Sequence, residues 1–343
     1  MTDELKAYLD KCDNLHVFDS FIVSKTKLER YEKPVVSVSG GSDSDIMLDV
    51  IAKLDTEKKV KYIFFDTGIE YQATKEHLDK LEKKYGITIE RMRAKTPVPL
   101  GCQKHGLPFW SKYVSEMIER LQRYNFKWED RPFDELIQEY PKCRSALKWW
   151  CNQNGGIGKF NIKRNRGLKE YMIAHPPTFK ISNKCCDGAK KDNAKEFLKS
   201  NGADLNMLGI RKAEGGIRAT AYKTCFDNGK SGQAWDNYRP IFWYEDQDKE
   251  YYEQFFGVQH SACYCKYGLK RTGCAGCPFG KEFENELKII EEYEPKLYKA
   301  VNNIFGESYE YTRRFLEFRK ALIEIDGVKY KQGSIFEMEG IYE

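Results

Sequence analysis

The chain is 343 residues long, 41% hydrophobic and 32% charged, with a formal net charge of +5. A chain of this size and balance buries a core and keeps a solvated surface, which excludes a disordered or fibrous protein. The mild positive charge suits an anionic ligand such as a nucleotide or a nucleic acid, and is as common in proteins that bind neither.

Met1 is followed at once by charged residues, and no run of about 18 apolar residues occurs. Neither a secretory signal nor a membrane partner is therefore expected. The expected location is the cytoplasm, where thiols stay reduced.

Residues 1–30 read as a helical lead-in. The β-branched run at 34–39 ends in Gly40-Gly41 and reads as a buried strand entering a tight turn. Helical spacing follows at 45–54, a second strand at 60–65, an amphipathic helix at 74–85 and a third strand at 87–92. Strand and helix alternating in this way predict an α/β fold, a doubly wound, mostly parallel sheet. Residues 95–180 interrupt the rhythm with helical patterns at 111–124 and 133–150, four tryptophans and a basic run at 159–166. They read as an inserted helical subdomain. The sheet pattern resumes with a helix at 192–199, a strand at 204–210 and a short extended piece at 239–242, and the chain is mostly helical from 282 onward. The expected organisation is a lead-in at 1–30, a nucleotide-binding domain at 31–245 carrying the 95–180 insertion, and a cysteine-containing helical region at 246–343.

The string Ser39-Gly40-Gly41-Ser42-Asp43-Ser44 lies between the first strand and its helix. Two glycines let the backbone turn tightly and approach a ligand. Serine hydroxyls and the unpaired amides of a helix N-terminus then cradle an anion, helped by the helix dipole. A Walker loop would require Gly-Lys-Ser/Thr, which is absent here. The string instead resembles the PP-loop of the adenine nucleotide α-hydrolase superfamily, whose members bind ATP or an adenylyl-sulfate nucleotide on a doubly wound sheet.

Two further strings resemble the PAPS reductase (sulfonucleotide reductase) branch of that superfamily, in its phage and bacterial form. Asp66-Thr67-Gly68 follows the second strand, and Gly209-Ile210-Arg211 is followed by Arg218 seven positions on. The resemblance implies that Asp66, Thr67, Gly68, Gly209, Arg211 and Arg218 line the nucleotide beside Ser39–Ser44, with Ser39, Asp43, Ser44 and Arg211 taking part in the chemistry. Arginine suits that role because its fork of donors matches a phosphate. Asp66 has an alternative duty, capping the turn that follows it.

Eleven cysteines in a reducing compartment point to metal ligation or thiol chemistry rather than a disulfide framework. Cys185-Cys186 and Cys274-Ala275-Gly276-Cys277 resemble the Cys-Cys and Cys-x-x-Cys ligands of [4Fe–4S] sulfonucleotide reductases. Soft thiolates suit iron–sulfur clusters and zinc alike, and Cys263 and Cys265 leave a zinc on Cys263, Cys265, Cys274 and Cys277 as the alternative. The resemblance breaks at the tail. Those reductases attack with a cysteine in a C-terminal Glu-Cys-Gly-Leu-His motif, and no cysteine follows Cys277 here. Cys263 or Cys265 would have to substitute.

The expected activity is therefore that of an ATP pyrophosphatase that adenylates an acceptor, uses Mg2+ and assists sulfur transfer with its cluster. A nucleic acid is the candidate acceptor, through the basic run and base stacking on the tryptophans. A cysteine desulfurase is the candidate sulfur donor, and a homo-oligomer is compatible with the sequence. The alternatives are a PAPS or APS reductase that releases sulfite and a non-catalytic nucleotide-sensing module.

Overall fold

The computed structural model describes residues 1–155, 160–215, 221–229, 232–279 and 282–339, with side chains to residue 325. Two compact units emerge. The first comprises Met1–Val98, Cys186–Ala275 and Asn285–Tyr298, and the second Pro99–Cys185, Gly276–Glu284 and Lys299–Glu343.

In the first unit, α1 (Asp3–Leu9) and α2 (Leu15–Arg30) lead into β1 (Pro34–Val38), α3 (Ser42–Leu54), β2 (Lys61–Asp66), α4 (Gln72–Tyr85) and β3 (Ile89–Arg93). Local chemistry sets these ends. The Asn14 side chain accepts from the Val17 amide at 3.0 Å to start α2, and Gly86 in the left-handed conformation stops α4.

The chain then forms helices of the second unit: α5 (Val98–His105, beginning at the unit boundary), α6 (Lys112–Gln122), α7 (Phe133–Glu139), α8 (Arg144–Trp150) and α9 (Leu168–Ala174). The helix expected over 133–150 is broken between α7 and α8 by a 3-10 turn, Pro141–Cys143. Pro141 has no amide to donate and clashes with the preceding turn.

Back in the first unit come α10 (Asp192–Ser200), β4 (Leu205–Leu208), β5 (Phe226–Asp227), β6 (Asp236–Tyr238), α11 (Asp246–Phe256) and α12 (Ala262–Cys265). α13 (Phe283–Tyr293) and α14 (Pro295–Glu339) complete the chain. The extended piece expected at 239–242 is instead a turn, with the Phe242 amide donating to the Arg239 carbonyl at 3.2 Å; the strand lies just before it. Buried Ile241 and Phe242 carry apolar character without a sheet partner.

The sheet order is β3-β2-β1-β4-β6-β5. All pairs are parallel except β5 with β6. The α/β, mostly parallel architecture is thus the expected one. Period-two alternation builds a core on each face. Val36, Val38, Tyr62, Phe64, Leu205 and Met207 join a core with residues of α1, α2, α3, α4 and α11. Val35 and Ile63 point the other way and pack with Phe197 and Leu198 of α10. The lead-in helices belong to the first of these cores through Leu5, Leu9, Val17 and Phe21.

The second unit has its own core, which includes Trp149 and Trp150, both completely buried. The Trp150 indole donates to the Glu129 carbonyl at 2.9 Å. These two rings offer no face to a nucleic-acid base, contrary to the stacking expected of the tryptophans. Lys163, Arg164 and Arg166 of the basic run are exposed, and Lys159 lies outside the described residues. No described helix is long and apolar enough to cross a membrane.

Candidate functional site

The loop 39–44 follows β1 at the carboxyl edge of the sheet, and α3 starts directly at Ser42. Gly40 adopts φ +67°, and a Cβ there would stand 2.6 Å from Thr74 Cγ2. Only glycine meets both demands without cost. Gly41 is the N-cap of α3 and supplies no side-chain cap, so the first amides of the helix face the loop without one. The loop is braced internally, since Ser44 Oγ accepts from the Ser39 amide at 2.9 Å.

Gly209 follows β4, the parallel neighbour of β1. A Cβ at Gly209 would lie 2.8 Å from Ser44 Cα and 3.0 Å from Asp43 O. The glycine is what lets the strand end press against the loop backbone. Two residues on, Arg211 is buried, and its Nε donates to Asp43 Oδ1 at 3.0 Å while Nη1 donates to Asp246 Oδ1 at 2.9 Å. Burial opposes the guanidinium's charge, but the Asp43 and Asp246 carboxylates prevail and raise its pKa further.

Three partners carry no signal in the sequence motifs. Lys249 of α11 donates to Ser42 Oγ at 2.5 Å and to Asp43 Oδ1 at 2.9 Å. The Tyr264 hydroxyl accepts from the Ser42 amide at 3.1 Å and from the Thr272 amide at 3.2 Å. Thr272 Oγ1 is 3.0 Å from that same hydroxyl. Ser39, Gly40, Gly41, Ser42, Asp43, Ser44, Gly209 and Arg211 are therefore gathered at one edge, with Lys249, Tyr264 and Thr272 added. Arg218 lies outside the described residues.

Asp66, Thr67 and Gly68 end the neighbouring strand β2 at the same edge. Asp66 Oδ1 accepts from the Gly68 amide at 2.8 Å, the turn-capping alternative, and its other oxygen is 3.4 Å from Lys75 Nζ. Thr67 Oγ1 donates to Glu70 Oε1 at 2.6 Å.

Beneath the loop, buried Asp45 of α3 receives two imidazoles on one oxygen: His77 Nε2 at 3.0 Å and His260 Nδ1 at 2.8 Å. His260 Nε2 is 2.9 Å from Glu253 Oε1. Burial works against a charged His260, yet the Asp45 and Glu253 carboxylates outweigh it and push the imidazole up to about 9. A charged imidazole here fixes the first turn of α3, and with it the loop.

Of the cysteines expected to bind metal, Cys186 and Cys274 belong to the first unit and Cys185 and Cys277 to the second. Cys274 Sγ lies 3.7 Å from Thr67 Oγ1, which ties it to the Asp-Thr-Gly turn. Burial pushes its thiol up; Lys190 counteracts this and the nearby Glu70 and Cys186 reinforce it. Among the described residues no group of three or more His, Cys, Asp or Glu side chains is gathered as a metal site. Cys263 is fully buried with its thiol pushed up by burial, which suits neither a nucleophile nor an accessible ligand, whereas Cys265 is exposed.

In comparison with known proteins, residues 33–147 match the phosphoadenosine phosphosulfate reductase domain. An uncharacterized protein of Methanocaldococcus jannaschii is 25% identical over 289 residues, which is 83% of this chain and 44% of that protein. Adenosine 5'-phosphosulfate reductase 2 of Bacillus subtilis is 29% identical over 96 residues, 27% of this chain and 40% of that enzyme. The chain thus spans less than half the length of these curated relatives. Among solved structures, the phosphoadenylyl-sulfate reductase of Candida auris in its phosphate complex aligns over 80% of this chain and 96% of that one, at 13% identity and a TM-score of 0.41.

Proposed function

We propose that this chain, in which residues 33–147 match the phosphoadenosine phosphosulfate reductase domain, is an enzyme that binds ATP on its loop, cleaves it between the α and β phosphates and adenylates an acceptor for sulfur transfer. One observation carries the nucleotide part of this reading. The glycine loop 39–44, with a glycine as the N-cap of α3, meets the buried Arg211 and the Lys249 ammonium at one carboxylate, Asp43. Backbone amides, hydroxyls and two cations at a helix N-terminus are what a polyphosphate requires. Ser39, Ser42 and Ser44 would orient it, Arg211 would hold a charged oxygen as pyrophosphate leaves, and magnesium would enter with the phosphates.

The sulfur part rests on the cysteine pattern. Cys185, Cys186, Cys274 and Cys277 would hold a [4Fe–4S] cluster; the alternative is zinc on Cys263, Cys265, Cys274 and Cys277. Contact between Cys274 and the Asp-Thr-Gly turn supports placing thiol chemistry beside the nucleotide. Cys274 and Cys186 interact electrostatically, and among the described residues no group of three or more His, Cys, Asp or Glu side chains is gathered as a metal site. A nucleic-acid acceptor keeps the support of exposed Lys163, Arg164 and Arg166 only.

The test uses the full chain purified without oxygen. Binding of ATP, PAPS and APS is measured first, then pyrophosphate and sulfite. ATP binding that Arg211→Ala weakens by about 10- to 100-fold, with pyrophosphate released, supports the reading. Sulfite from PAPS or APS replaces it with the reductase, binding without either product replaces it with a sensing module, and no binding at all ends it. Iron, sulfide and zinc assays on the same sample, repeated on Cys186→Ser and Cys274→Ser, decide the metal.

A further inference from the structure

We propose that Lys249 is a phosphate-binding side chain of the loop, taking the polyphosphate of the nucleotide in concert with Arg211. This rests on the nucleotide reading above and adds to it a residue that no loop motif contains.

The charge balance at the loop leads there. Asp43 Oδ1 receives two cationic donors, Arg211 Nε at 3.0 Å and Lys249 Nζ at 2.9 Å. One carboxylate cannot neutralise both. Asp246, 85% exposed, pairs with Arg211 at 2.9 Å, and Glu253 stands 3.9 Å from Lys249, beyond hydrogen-bond reach, while engaged by His260, so Asp43 is the carboxylate that Lys249 hydrogen-bonds. Two cationic side chains thus converge at the start of α3, where the helix dipole already favours an anion.

The position of the ammonium is equally specific. It donates to Ser42 Oγ at 2.5 Å, so it sits over the first residue of the helix, beside the amides that would face a phosphate. Its side chain is 19% exposed, open enough to reach a ligand and shielded enough for the charge to count. An ammonium carries three donors on a flexible stem. Lys249 can shift from Asp43 to a phosphate oxygen while it keeps Ser42. The Asp43 carboxylate thus holds in place, before the nucleotide arrives, the cations that the phosphates later share.

The experiment measures dissociation constants for ATP and for inorganic pyrophosphate at several salt concentrations, on the full chain and on Lys249→Met and Lys249→Arg. The methionine variant is expected to bind both ligands about tenfold or more weakly, the loss of one charge-assisted hydrogen bond. Its affinity should also depend less steeply on salt, and the arginine variant should recover most of both properties. Affinity within about twofold of the parent, at the precision such constants allow, would overturn the proposal. So would a loss with an unchanged salt dependence that arginine does not repair, the pattern of a purely structural lysine. Should Lys249→Met fail to fold, Lys249→Gln and the arginine variant carry the same comparison. A parent chain that binds neither ATP nor PAPS overturns the nucleotide reading, and the proposal falls with it; a parent that binds while all variants bind equally overturns this proposal alone.

Discussion

The phosphate loop and the cysteine segments were both conspicuous in the sequence, yet they differ in what the fold does with them. The loop is finished before any ligand arrives. Its turn, its helix start and its cations are fixed by hydrogen bonds of 2.5–3.0 Å among Ser39, Ser42, Asp43, Ser44, Arg211 and Lys249. The cysteines show a different kind of environment. Cys274 contacts Thr67 and its thiol is pushed up by burial, with the nearby Cys186 adding to the shift. A loop made from backbone is complete on folding, whereas a thiol raised by burial stays protonated until a neighbouring positive charge favours the thiolate.

The largest effect expected from breaking the loop side of this contrast is at Gly209. Gly209→Val would drive a branched side chain into Ser44 Cα and the Asp43 carbonyl, which are backbone and cannot swing aside. The expected cost is about 1–3 kcal/mol of stability, read by urea unfolding, together with loss of measurable ATP binding. If the loop and the thiols are built independently, metal content per folded chain stays at the parent level. A variant that loses metal as well would show that the two are one construction.

Arg211→Ala comes next. It removes a buried cation that bridges Asp43 and Asp246, and ATP affinity should fall by about 10- to 100-fold. Arg211→Lys should recover only part of this, because a point charge cannot span both carboxylates. Full recovery by lysine would mean that charge alone, without the fork, is what the site uses.

The foundation of the loop should respond to pH. His260, held between Asp45 and Glu253, with the His77 and Tyr264 rings as further neighbours, is pushed up to about 9. An unperturbed histidine titrates near 6.5. A folded-state value above the unfolded one stabilises the fold fully below about pH 6.5, and that contribution is lost as pH rises through about 9. After allowance for solvent screening it is on the order of 1–2 kcal/mol. Unfolding at pH 7 and pH 10 should show the parent losing this amount and His260→Gln losing less. Equal losses would mean that the imidazole is already neutral at pH 7.

The same contrast explains what could be read in advance. The loop was legible because Ser39 to Ser44 are consecutive and their glycines answer local demands, φ +67° at Gly40 and a close backbone approach at Gly209. The parallel sheet was legible because β1, β2 and β4 are apolar runs that end in turn residues. Lys249, Tyr264 and Thr272 were not, because each reaches the loop from more than 200 positions away, and the cysteines around Tyr264 and Thr272 point to thiol chemistry rather than to the loop. The paired tryptophans misled for a related reason. An aromatic-rich helix looks alike whether its rings face solvent or, as with Trp149 and Trp150, fill a core. At 239–242 the apolar side chains of Ile241 and Phe242 mimicked a strand, since burial and extension are indistinguishable over so few residues.

The smallest effect expected is also the one most specific to the loop. The Tyr264 hydroxyl takes the Ser42 amide at 3.1 Å, one of the donors a phosphate would use, and Thr272 steadies it from the other side. A nucleotide must displace that hydroxyl or bind around it. In Tyr264→Phe the amide is left without its acceptor while the ring persists, so the ligand-free loop loses a hydrogen bond worth about 0.5–1.5 kcal/mol. The bound state, in which phosphate supplies the acceptor, loses nothing. ATP affinity should therefore rise by roughly two- to tenfold, while the thermal midpoint of the ligand-free chain falls slightly. A fall in affinity would place the hydroxyl on the ligand itself, and Tyr264 would then belong with Lys249 among the groups that hold the phosphates.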